Sequence, residues 1–303
     1  MTTEQLERWK ILGIPFNDAY VRLAQIGDKM KAEAETRKSV RKAAEEEAKN
    51  KAALEAIKLL ESITHYHDTS GKKIGFAYGD KKQRAIVTNS TDIAKIKSND
   101  KSKVATPLSE VQSAYILPSD AALQASIDVF IDTEAPTELD DVGGLHGESA
   151  MVFKDGIVER GPSGEKGYLD EVKNTYMTHE ELPDLPSNYS ENDIEVIIHS
   201  HATNVVRQQR KTDVDKFSWC GGNALVPSSK DEENPRWKRH TNIIVGPLGI
   251  FKEHKDPATG YTLYDKPTQA NNGIVIYKEG KQEKKIENNI LTIKVVNKIL
   301  KFK

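Results

Sequence analysis

Ile194-Glu-Val-Ile-Ile-His199-Ser200-His201 is the stretch from which this chain is best read. The apolar run from Ile194 to Ile198 reads as a β-strand, and on a strand residues two apart face the same side. His199 and His201 therefore aim both imidazoles at one point, which is what a metal ion needs from a pair of ligands. Downstream, Ser228-Ser-Lys-Asp231 offers a hydroxyl and a carboxylate to the same point. Upstream, Glu148 follows the turn Gly143-Gly-Leu-His-Gly147 and begins another strand.

These residue types have the chemistry of a zinc hydrolase. Catalytic Zn²⁺ takes about three protein ligands and keeps one position open for water. The bound water falls to a pKa of roughly 7, so hydroxide becomes available at neutral pH. A glutamate can take the released proton and pass it to the leaving amine. A hydroxyl donor can stabilise the oxyanion that develops on the carbonyl. The sequence thus assigns His199, His201 and Asp231 as ligands, Glu148 as general base and Ser228 as oxyanion donor.

Bland readings stand beside these assignments. An H-x-H recurs by chance, and the chain holds a second, His65-Tyr-His67, expected at the end of a long helix. There the two rings would point about 200° apart and could not share a metal. Ser228 or Ser229 also suits the N-cap of a short helix with acid in its first turn. His240 is an alternative third ligand, and Cys220 an alternative nucleophile without a fixed histidine partner. His146, close to Glu148, reads as a loop histidine, or as a group that touches substrate or supports the site from behind.

The rest of the chain supplies the frame. Neither Gly nor Pro occurs between Asp28 and Ser70, a stretch rich in Ala, Glu, Lys and Arg. Such residues favour helix, and the thin alanine-rich stripe implies an arm that packs on a partner or stands in solvent. Gly71 is expected to close it, which gives an arm over 1–70 and a catalytic domain over 71–303. Strands are expected at Ile74–Tyr78 and Arg84–Thr88, joined by a turn at Gly79-Asp80. Ser126–Asp132, with Ile127, Val129 and Ile131 alternating, also reads as a strand. Glu148–Phe153 and Ile157–Glu159 read as a hairpin about Asp155-Gly156. Residues 161–192 and 202–227 are long excursions. Asn242–Val245, Gly260–Tyr264 and Gly273–Tyr277 are further strands, and Ile290–Phe302 a last strand or helix.

Composition narrows the classes. Of 303 residues, 30 % are charged and 37 % apolar, yet the net charge is only −2. That argues against general affinity for nucleic acid or anionic lipid. One cysteine excludes an internal disulfide and a multi-cysteine zinc site. No apolar run is long enough for a membrane span. The polar, acidic start is unlike a signal peptide. The expectation is a cytoplasmic chain, with export or delivery that needs no cleavable signal left open.

The order of Glu148, the His199-Ser-His201 strand, Ser228-x-x-Asp231 and a following strand resembles the JAB/JAMM (MPN-type) zinc metallopeptidases, whose motif is an early glutamate, then H-S/T-H-P, then S-x-x-D. The resemblance spans about residues 125–280. It implies a mixed α/β (α+β) sheet flanked by helices, bound Zn²⁺, and cleavage of peptide or isopeptide bonds, often beside ubiquitin-like tails. Two features depart from the pattern: Ala202 replaces the proline, and the spacer from His201 to Ser228 is much longer than the family's. With a helical arm in front, the chain also resembles the JAB-like toxin domains of bacterial polymorphic toxin systems. That implies an effector with an immunity or delivery partner for the arm. The contrasting reading is a non-catalytic scaffold or interaction module on the same fold.

Overall fold

A computed structural model of the chain describes residues 3–13, 16–170, 175–177, 180–204, 206–209, 217–220, 227, 231, 233–249, 253–255, 262–264, 272–278, 281–282, 286–287 and 289–302. The chain is a mixed α/β protein in two units, Met1–Glu61 and Ser62–Lys303.

The first unit is helical: α1 (Thr3–Ile11) and α2 (Phe16–Glu61). Every side chain from Val21 to Glu55 is exposed, as its run of strong helix formers with a thin apolar stripe implies. The helix stops at Glu61, earlier than Gly71. The reason lies in Ile63-Thr-His-Tyr-His67, whose β-branched and aromatic residues favour a strand. Its backbone pairs on both sides as β1 (Ile63–His67). No described helix is long and apolar enough to cross a membrane.

The second unit opens with a four-stranded sheet of β1, β2 (Lys73–Tyr78), β3 (Gln83–Val87) and β4 (Ala114–Ile116) in the order β2-β1-β3-β4. The expected hairpin at Gly79-Asp80 does not form. β2 and β3 flank β1 instead, the first antiparallel and the second parallel to it. α3 (Ser90–Lys101) leads from β3 towards β4 and buries Ile96 against this sheet.

α4 (Asp120–Glu134) occupies the segment in which the alternation of Ile127, Val129 and Ile131 implied a strand. Helical periodicity wins because Leu123, Ser126, Ile127, Phe130 and Thr133 recur at three- and four-residue steps and are all buried, while Ile131 is 54 % exposed. Ser119, the N-cap, accepts a hydrogen bond from the Ala122 N–H at 3.2 Å, a start signal that follows Pro118 in the sequence.

The main sheet contains β5 (Ser149–Phe153), β6 (Val158–Arg160), β9 (Ile194–Ser200), β12 (Thr241–Pro247), β15 (Asn272–Lys278) and β16 (Lys281–Gln282) in the order β16-β15-β12-β9-β5-β6. Three two-stranded pairs accompany it: β7 (Tyr168–Asp170) with β8 (Thr175–Met177), β10 (Val206–Gln209) with β11 (Phe217–Cys220), and β13 (Glu253–Lys255) with β14 (Thr262–Tyr264). β9 and β12 run parallel, and the other ladders of the main sheet are antiparallel. One face, through Ala150, Val152, Val196, Ile198, Ile243 and Val245, packs on α4 and the last helix, Ile293–Lys301. The opposite face carries Met151, Phe153, Ile197, Ile244 and Tyr277. His199 is on this second face, flanked across the ladders by Ser149 and Ile244.

Arg84 ties the four-stranded sheet to α4 and the last helix. It is buried, grips both carboxylate oxygens of Asp120 at 2.5 and 2.9 Å, and donates to the carbonyls of Ile299 and Phe302 at 2.6 and 2.9 Å. Arg84→Ala leaves an aspartate and two carbonyls without their donor, and is expected to cost roughly 3 kcal/mol of stability. Urea unfolding of both proteins checks this; a loss under about 0.5 kcal/mol, the range of ordinary surface substitutions, contradicts it.

The second H-x-H is on a strand, not a helix end, so His65 and His67 share a face. Their rings meet Phe302 edge-on at 5.4 and 6.3 Å. Lys73 and Arg84 beside them disfavour a cation there. Burial, with help from these positive neighbours, pushes both imidazoles down to about 4. The lowered folded pKa fixes the sign: the contribution of His67 to stability is full above pH 6.5 and is lost as pH falls towards 4. The loss for this fully buried ring is on the order of 3 kcal/mol. Chemical denaturation at pH 7 and pH 4.5 tests it, with His67→Phe expected to flatten that part of the profile.

Candidate metal centre

The end of β9 and the segment before β12 bring the candidate ligands together. Nε2 of His199 is 3.3 Å from Oδ1 of Asp231, and Nε2 of His201 is 3.7 Å from Oδ2. Among the described residues this is the one group of His, Cys, Asp and Glu side chains close enough to hold a metal, its donor atoms all within 4.8 Å of one another. His199 and Asp231 are buried and His201 is partly open. The His201 N–H bonds the Val245 carbonyl at 2.8 Å, so the parallel ladder carries on past β9 and holds the second histidine.

Asp231 is anchored from its downstream side, where its carbonyl accepts the Asn234 N–H at 3.2 Å. The Asn234 side chain caps the helix Pro235–Arg239 by accepting from the Arg236 N–H at 2.9 Å. Glu191, in the turn that feeds β9, takes Arg236 Nε at 2.8 Å and His240 Nε2 at 3.1 Å. His240, the alternative third ligand, thus faces Glu191, and Asp231 is the carboxylate in the cluster. The sequence offered no reason to select Glu191.

The electrostatics fit a site for a cation. Burial raises the Asp231 carboxyl, but the hydrogen bonds and charges of His199 and His201 override it and hold the group well below the usual carboxylate range. Burial lowers His199, whereas Asp231 and Glu180 pull it up, with a net rise. A buried carboxylate between two imidazoles is satisfied either by protons on the rings or by a metal that replaces them. Two nitrogens and one carboxylate oxygen are a set that Zn²⁺ accepts, with a fourth position left for water. A cavity of about 220 Å³ adjoins the cluster, lined by His199 and Asp231 with Glu180, Leu182, Ile197, Asn234 and Asn242, and has room for a side chain.

Glu148 stands across the ladder from Ser200, the residue between the histidines. The Ser200 N–H bonds the Glu148 carbonyl at 2.9 Å, and the Ser200 hydroxyl accepts the Glu148 N–H at 2.9 Å and the Thr133 hydroxyl at 2.6 Å. The Glu148 carboxylate is buried and is not one of the cluster's donors. Its Oε2 is 3.3 Å from Arg160 Nη2, and its Oε1 3.3 Å from His146 Nε2. Burial raises it, but His146, Ser163 and Arg160 together leave the group below the ordinary glutamate value. Ser228, assigned as the oxyanion donor, lies outside the described residues. Cys220 ends β11 within the 202–227 excursion.

The preceding turn depends on glycine. Gly143 and Gly144 have φ of 77° and 78°, and a Cβ on Gly143 would sit 2.3 Å from the Glu134 carbonyl oxygen. The Gly144 carbonyl accepts the N–H groups of Thr203 and Asn204, both at 2.9 Å. The turn that delivers Glu148 is therefore fastened to the chain just beyond His201.

No family model matches this chain, and comparison with the curated proteins and with the solved structures also finds no match.

Proposed function

We propose that the chain is a zinc-dependent hydrolase of peptide or isopeptide bonds, of the JAB/JAMM type. The observation that carries this reading is the convergence of His199 and His201 with Asp231, 30 residues further along the chain. The main sheet adds support. A glutamate strand beside the histidine strand, a strand after the aspartate and a helix-covered face agree with the mixed sheet flanked by helices that the resemblance implied.

His199, His201 and Asp231 would hold the ion. Bound there, zinc supplies a Lewis acid and makes a water acidic enough to ionise near neutral pH. Glu148 is the base that receives the proton and returns it to the leaving amine. Its pKa, held below the ordinary glutamate value, keeps it ionised at neutral pH. Leu182 and Ile197 give the neighbouring cavity apolar walls for a substrate side chain. A substrate with a ubiquitin-like tail, and an effector role in which α2 meets an immunity or delivery partner, belong to the same proposal.

The scaffold reading draws on one observation: both oxygens of Glu148 already face a cationic group. The two readings separate in one experiment. Zinc-loaded protein is incubated with ubiquitin chains and with a mixed peptide library. The hydrolase reading expects cleavage that a chelator abolishes and added zinc restores. A zinc-loaded protein that cleaves nothing favours the scaffold.

A further inference from the structure

The loop before Glu148 carries a buried charge chain. Asp140, His146 and Glu148 are all buried. The Asp140 carboxylate accepts the Leu145 N–H at 2.8 Å and the Val142 N–H at 3.3 Å, and the same Oδ2 faces His146 Nδ1 at 2.9 Å. Burial disfavours a charged ring, but Glu148 and Asp140 outweigh it and raise the pKa of His146, which favours an imidazolium with a proton on each nitrogen. Nδ1–H then faces Asp140, and Nε2–H faces Oε1 of Glu148 at 3.3 Å. Oε2 is held from the other side by Arg160, which also donates to Asp132 on α4 at 2.7 Å.

Two features argue for more than loop closure. Burying two carboxylates and an imidazole is costly, and an apolar plug such as neighbouring Leu145 closes a loop more cheaply. Moreover, Oε1 has no hydrogen bond of good geometry among the described residues. The contact from Nε2 is therefore electrostatic and does not saturate the lone pairs of this oxygen, which leaves it able to accept a proton. Oε2 does accept a hydrogen bond from Arg160.

We propose that His146, oriented by Asp140, is a positioning residue that fixes the carboxylate of Glu148 in its reactive orientation. This rests on the reading of Glu148 as the base, so the test includes a readout that needs no turnover. Asparagine at 146 keeps a donor near the Nδ1 position for Asp140 but cannot reach Glu148. Glutamine places its amide near the Nε2 position and can reach it. In zinc-loaded protein labelled with ¹³C-glutamate, the Glu148 carboxyl signal is identified by its loss in Glu148→Gln.

His146→Asn is expected to move that signal and shift its titration upward, and His146→Gln to bring both part-way back. On any substrate the enzyme cleaves, His146→Asn should lower kcat about 10- to 100-fold, as loss of such orienting partners does. KM and zinc affinity should stay near the parent values. If the asparagine variant does not fold, Asp140→Asn and His146→Gln are compared with the parent by the same two measurements. An unmoved Glu148 signal in folded variants overturns the proposal. A moved signal in a protein that cleaves nothing upholds the positioning and overturns only the hydrolase reading.

Discussion

Glu148→Gln is expected to bind zinc as tightly as the parent protein and to lose about 10²- to 10⁴-fold in kcat, the usual contribution of a positioned acid–base group. The substitution keeps volume and shape and removes only the ability to take a proton. Zinc should be unaffected because the Glu148 carboxylate stands apart from the three donors. The new amide can still accept from Arg160, which makes a folding defect a poor explanation for lost turnover. Isothermal titration with zinc and initial rates on the same preparation decide the matter. Parent-like turnover in Glu148→Gln removes the residue from the mechanism.

Asp231→Ala should act on the opposite quantity. Loss of an orienting partner behind a metal ligand costs 10- to 100-fold in affinity. Loss of the ligand itself should therefore cost at least about 100-fold, and hydrolysis should fall with zinc occupancy. Burial lowers the His199 pKa and Asp231 is the main influence that raises it, so the ring loses its counter-ion as well. A second effect follows in the zinc-free protein: the imidazole should titrate lower in Asp231→Ala than in the parent, which histidine NMR can read. Unchanged zinc affinity in this variant would mean that the ion, if bound, sits elsewhere.

The legible part of this molecule is the part where local pattern and long-range packing agree. The run Ile194–Ile198 and the strands at 242–245 and 273–277 are short, apolar and rich in β-branched residues, and they form the centre of the sheet. The Asp155-Gly156 turn was equally plain, with Gly156 at φ 89° as a hairpin of this kind needs. The segment at 126–132 misled because Ile127, Val129 and Ile131 alternate by chance. The helix buries its wider stripe, and the cap at Ser119 was the better signal.

His65-Tyr-His67 misled for the reverse reason. The helical run before it contains no breaker, so the strand preference of Ile63–His67 and its pairing with β2 and β3 end the helix without a stop signal. In the site, His199, His201 and Asp231 were readable because each ligand type is chemically distinctive. Asp140, Glu191 and Arg160 were not, since single charged residues carry no local sign of the distant partners they will meet.

Anomalous diffraction at the zinc edge, from crystals of the zinc-loaded protein, addresses the central claim most directly. The account predicts one strong peak about 2.0–2.2 Å from Nε2 of His199, Nε2 of His201 and a carboxylate oxygen of Asp231. A peak at another set of side chains, or none at full zinc loading, would contradict it.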